Sequence, residues 1–171
     1  MRFDPLIRMS TAWTSVFGRF AIHLFEGRVT VEDMELLQTI GQQWNVKHPG
    51  KRAELVVVLP SDTRMTSEER ARMARLIKLG ESHRAASATV ILAEGILASM
   101  QRSMLTGMMM LAPAPHPAKV FGSLQDAGKW LFPHVQALSG PQLSQVEFGE
   151  ALDSQLAAFR ARPDRLLIKA G

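Results

Sequence analysis

Five histidines, at positions 23, 48, 83, 116 and 134, are the side chains best suited to acid–base work or metal ligation. Their spacing supports neither. No two stand at i,i+4 on one helical face, and no HExxH or comparable run joins them to a carboxylate. A metal needs several converging donors, so His23, alone in a strand-like run, reads as a hydrogen-bonded, partly buried histidine. The chain has no cysteine, which removes thiolate nucleophiles, disulfides and cysteine-based zinc or iron–sulfur centres. GxSxG, GxGxxG and GxxxxGKS/T do not occur, so neither a serine-hydrolase elbow nor a common nucleotide cradle is in view. Glu68–Glu69 and Glu147/Glu150 fall on helix surfaces expected to be solvated. These residues predict a protein that is not an enzyme, with no catalytic residue, no metal and no cofactor.

Two other groupings could do chemistry. The run "LPSDTRMTSEER" gathers Ser61, Thr63, Thr66 and Ser67 ahead of a helix. A phosphate on one of them would bring nearly two negative charges to a helix N-terminus, which can accept them. Glu68 and Glu69 would oppose it, and Thr66 or Ser67 serves more simply as an N-cap. The second grouping is "SMLTGMMMLAP", since half of the methionines lie between Met100 and Met110. On a helix Leu97, Met100, Met104, Met108 and Leu111 share one face and read as core, with methionine as adaptable filler. Leu105, Met109 and Met110 widen the apolar arc beyond what one sheet contact requires, and so read as a surface for a partner.

The elements that must position these residues follow from periodicity. "TAWTSVFGRFAIHLFEG" reads as two strands turning at Gly18-Arg19. "TVEDMELLQTIGQQWNVKHPG" is a helix with a Thr30/Asp33 capping box, a stripe of Leu36, Leu37, Ile40 and Trp44, and a stop at Pro49-Gly50. "AELVVVLP" and "SATVILAEG" are short apolar runs that suit strands buried on both faces. Between them lies a helix with Met73, Leu76 and Ile77 inward and Leu79 at the border. A helix over the methionines ends at Pro113, and "AKVFGS" is another strand. Ser123 caps the next helix, which Pro133 should kink or end. After "SGPQ", a Ser144/Glu147 box opens a last amphipathic helix striped by Phe148, Leu152, Leu156 and Phe159. Those four either cap the domain or reach a second subunit.

The order ββαβαβαβα predicts an α/β fold: a mixed, mostly parallel sheet of four to five strands with an antiparallel edge, covered by helices. The divisions expected are an N-terminal segment at 1–11, a domain at 12–138, and a linker, helix and tail at 139–171. The 171 residues, 46% of them apolar and 21% charged, suit one globular domain. The formal charge of +4 is interspersed with acids, so no nucleic-acid partner is expected. No 18-residue apolar run exists, so no membrane span is expected, and the first residues lack the apolar core of a signal peptide.

That order, with "FAIHLFEGRVTVEDMELL", "ELVVVLP", "ATVILAEG" and "KVFGSLQDAGKWL", resembles the STAS domains, the anti-sigma-factor antagonists, in their SpoIIAA-like or STAS/SEC14-like branch. The resemblance implies a non-enzymatic regulatory or scaffolding module of the bacterial cytoplasm, binding a protein partner or itself and often controlled by phosphorylation. The Asp-Ser-Ser-Gly-like acceptor turn of ordinary members is missing from "LPSDTRMTSEER". The SEC14-like side of the resemblance implies, as an alternative, a carrier of a small apolar ligand or lipid.

Overall fold

The computed structural model describes residues 2–60, 66–92, 95, 114–139 and 143–163. Alternation in "AWTSVF" and "FAIHLF" builds a hairpin from strands β2 (Ala12–Phe17) and β3 (Phe20–Phe25). Phe17 pairs with Phe20 across a two-residue turn. Gly18 stands at φ 53°, and among the described residues no other residue type has positive φ. A glycine at the first turn position with Arg19 at negative φ is the type II′ pattern, whose twist matches that of the strands.

Helix α1 (Val31–Lys47) follows β3, then β4 (Arg52–Val58), α2 (Ser67–Gly80), a 3-10 turn (Glu81–His83), β5 (Arg84–Ile91) and β6 (Ala118–Phe121). Helices α3 (Leu124–Ser139) and α4 (Gln145–Arg160) follow as the last elements among the described residues. Among the described residues the sheet has six strands in sequence order. β3 to β6 are parallel, and β2 and β3 are antiparallel. The α/β class and the antiparallel start stand as expected, but the strand count does not. Residues 4–8, expected to precede the domain, form β1 (Asp4–Arg8), antiparallel to β2. Pro5 masked this strand in the sequence, because proline is tolerated only at edges and bulges. Here β1 is the edge, and its register shifts between Pro5 and Ile7.

The period-2 pattern divides the sheet into unlike faces. Phe20, Ile22, Leu24, Ala53, Leu55, Val57, Ala86, Ala88 and Val90 are fully buried on one face, beneath α3 and α4. Leu124, Ala127, Leu131 and Val135 of α3 cover the parallel strands. Phe148, Leu152, Leu156 and Phe159 of α4 enter the same core. The Phe148 ring lies 5.1 Å from Phe20 and 5.8 Å from Phe132, and Phe159 lies 5.4 Å from Trp13. These four residues are therefore interior and offer no partner surface. The three leading strands widen the sheet beyond α3, and α4 is the cover that the extra width requires. Helix α4 is thus part of the same core.

Two further expectations need correction. Of the two effects expected of Pro133, ending the helix is the one that does not occur, since α3 runs six residues beyond it. Pro133 is exposed, as is Lys129 one turn earlier, so water can satisfy the carbonyl that the missing N–H leaves open. Leu131 and Val135 on the buried face hold the helix together. In the α1–α2 layer the apolar stripes turn only partly inward. Met34 and Trp44 are the buried residues of α1, whereas Leu36, Ile77 and Leu79 are exposed. The helix expected over the methionines, with Leu105, Met109 and Met110, lies outside the described residues.

Candidate functional site

Helices α1 and α2 start beyond the C-terminal ends of β3 and β4 and finish near the N-terminal ends of the parallel strands. The two edges of the sheet carry opposite charge. At the first, Thr30 Oγ1 accepts from the Asp33 N–H at 3.2 Å, and Thr66 Oγ1 from the Glu69 N–H at 3.2 Å. Both capping boxes are complete. Arg28 Nε donates to Glu69 Oε1 at 2.8 Å. A backbone hydrogen bond from Thr66 heads the contacts that hold the Glu69 carboxyl below its usual range.

A cleft of about 410 Å³ lies between these helix starts, lined by Arg28, Thr30, Val31, Glu32, Thr66, Glu68 and Glu69. Open α/β sheets usually bind ligands at this edge. Here three carboxylates face one guanidinium, and the chain's own acids already occupy the positive helix ends. Of the four hydroxyls proposed as phospho-acceptors, Thr66 serves as the α2 N-cap. Ser67 is exposed and its Oγ accepts from Arg70 Nη2 at 3.1 Å. Ser61 and Thr63 lie outside the described residues.

The other edge is basic. A cleft of about 350 Å³ is lined by Gly18, Arg19, Trp44, Lys47, His48, Pro49, Gly50, Lys51 and Arg52. The β2–β3 turn brings Arg19, the last turn of α1 brings Lys47, and the entry to β4 brings Lys51 and Arg52. Gly50 has φ +109°, and a Cβ there would sit 2.8 Å from Arg19 Nη1. The turn therefore needs glycine for its conformation, while the exposed Arg19 guanidinium lies close over it. His48 stacks on Trp44 at 5.0 Å, and the Arg52 guanidinium lies over the same ring system at 5.1 Å.

Beneath this cleft the second face of the sheet buries a polar cluster. Glu54 is 2% exposed. Its Oε1 accepts from Arg52 Nε at 2.7 Å, and its Oε2 pairs with Arg84. Arg52 also donates to Asn45, and Arg84 Nη1 donates to the Ile77 carbonyl at 2.8 Å. Burial alone would raise the Glu54 carboxyl, but the charges of Arg84 and Arg52 outweigh it and hold the group below its usual value. His23 Nδ1 is 2.9 Å from Thr14 Oγ1, and burial lowers its pKa to about 4. The imidazole is then neutral at pH 7, so the cluster sets two guanidinium ions against one carboxylate.

Ser87 Oγ and His116 Nε2 are 2.9 Å apart, the spacing of a nucleophile and its base. His116 Nδ1 meets no partner among the described residues, so no third group orients the ring. Ser87 also sits within β5 rather than on a turn. The described residues hold no cluster of three metal-ligating side chains. Neither described cleft is apolar, and no described helix is long and apolar enough to cross a membrane. Sequence reasoning missed the basic cleft. The local signal was "VKHPGKR", but Arg19 joins it only through the parallel pairing of β3 with β4. Comparison with family models, curated proteins and solved structures finds no match.

Proposed function

We propose that this chain is a non-enzymatic interaction module of a regulatory or scaffolding kind, and that it associates with a second copy of itself through the α1–α2 layer. The carrying observation is the exposure of three apolar side chains on the closing turns of these helices. Val46 is 83% exposed, Ile77 50% and Leu79 51%. Single exposed apolar residues are ordinary, but three on the closing turns of neighbouring helices support a partner surface at this end of the layer. The STAS resemblance supports the same reading. The carrier alternative has less behind it: aromatic rings in mutual contact fill the space between the sheet and α3–α4.

Light scattering across a concentration series tests the proposal. The wild-type chain is expected to exceed monomer mass, and a double variant Ile77→Lys, Leu79→Lys is expected to return it to monomer with unchanged circular dichroism. A wild-type monomer at every concentration, or association untouched by both substitutions, overturns it.

A further inference from the structure

We infer that the basic cleft at the N-terminal edge of the parallel strands is a binding site for a small, multiply charged phosphate compound of the diphosphate class. This goes beyond self-association and uses different residues. Arg19, Lys47, Lys51 and Arg52 converge on the cleft from three segments, with no carboxylate among its lining residues. Arg19, Lys47 and Lys51 are exposed and make no ion pair with any described residue.

Arg52 differs from the other three. Glu54, Asn45 and the Trp44 ring hold its guanidinium from three sides, so it is ordered before any ligand arrives. A pre-ordered guanidinium loses less freedom on binding a phosphate oxygen than a free one. The buried cluster behind it carries more positive than negative charge. The closing ends of α1 and α2, the latter taking a hydrogen bond from Arg84, each offset about half a charge there. The charge left for an anion to balance is therefore that of the exposed Arg19, Lys47 and Lys51 at the mouth of the cleft.

Size and shape narrow the class. The cleft, about 350 Å³, is at the lower end of ligand sites, which span roughly 300–1,000 Å³. It has room for more than one phosphoryl group, and four cations line it. Trp44 is buried, with His48 stacked on it and Arg52 over its ring, so it offers no free face for a nucleobase. Stacking platforms are how proteins usually hold single-stranded nucleic acid. The geometry therefore favours a small phosphate compound over an oligonucleotide.

The test uses the full chain, inorganic pyrophosphate as the probe, constant ionic strength, and the indole N–H resonances of its three tryptophans. Saturable 1:1 binding is expected, with the Trp44 resonance moving and those of Trp13 and Trp130 still. Sulfate is expected to bind more weakly, having one anionic centre. The double variant Lys47→Ala, Lys51→Ala alters only exposed side chains and is expected to weaken binding by about tenfold or more, with its melting temperature unchanged. Four results each overturn the inference: no saturation, equal binding of sulfate, unaltered affinity in the variant, or tighter binding of a single-stranded oligonucleotide that rises with its length.

Discussion

Arg162 and Glu26 stand 136 positions apart in the chain and meet in its interior, with Nη2 3.0 Å from Oε2 and both side chains almost fully buried. The same guanidinium donates through Nε to the Ser10 carbonyl at 2.9 Å and through Nη1 to the Phe159 carbonyl at 2.6 Å. Arg162 thereby ties the end of α4 to the β1–β2 connection and to the residue that follows β3. Removing one partner of a buried pair costs more than the pair contributes, because the other charge stays in a low dielectric. Arg162→Ala is expected to lower unfolding free energy by about 3 kcal/mol. Arg162→Lys should recover little, since an ammonium cannot reach three acceptors in a planar fork. Urea melts of both variants decide the point; a midpoint equal to wild type for Arg162→Ala contradicts it.

Phe148 lies between Phe20 and Phe132 with no exposed surface. Phe148→Ala should destabilise the fold by about 3–5 kcal/mol, the range for a large aromatic lost from a packed core. Association measured below the midpoint of unfolding should be unchanged. A variant of native stability that fails to associate would instead place Phe148 on a partner surface.

Local signals in the sequence gave reliable elements where a residue acts on its near neighbours. The capping boxes at Thr30, Thr66 and Ser144 close with their acids three residues on, and Ser123 with Asp126. What escaped was set by tertiary context. β1 depends on an edge position that excuses Pro5, and the inward turn of Phe148 and Phe159 depends on the width of a sheet whose first strand was not foreseen. The basic cleft escaped for the same reason. Arg19 and Lys51 are far apart in sequence, and only the Phe20–Ala53 pairing of neighbouring parallel strands brings their turns together. Periodicity also overstated burial in α2. Its stripe predicts Ile77 inward, yet this helix lies beside α1 over a sheet face carrying Arg84 and Glu54, where an apolar side chain finds little to pack on.

Pro133 continues α3 at an exposed position while lacking the N–H that would bond the carbonyl four residues back. Proline in a helix interior costs about 3 kcal/mol relative to alanine in an isolated helix. Part of that is relaxed here by solvent, so Pro133→Ala should stabilise the chain by about 1 kcal/mol. A higher urea midpoint with an unchanged slope is the expected observation, and a lower midpoint would show that the proline ring itself is needed.

His23 makes stability depend on pH, and the direction follows from its surroundings. Burial is the largest influence on it; Glu54 pulls the pKa up, and Arg52 and Arg84 push it down, leaving the folded value at about 4 against 6.5 for the free side chain. The unfolded chain therefore binds the extra proton between these values and the folded chain does not. Stability from this group is complete above pH 6.5 and is lost progressively as the pH falls toward 4, by roughly 3 kcal/mol in all. Glu54, held below its ordinary value, loses its contribution only at lower pH, when the carboxylate between Arg52 and Arg84 takes up a proton. Acid unfolding should thus begin well above the carboxylate range. His23→Gln keeps a polar partner for Thr14 without a titrating ring. Urea melts of wild type and variant between pH 7 and pH 4 should converge as the pH falls, with the wild type losing stability faster. Parallel losses across that window would show that the imidazole titrates alike in the folded and unfolded chains, with the pull of Glu54 balancing burial.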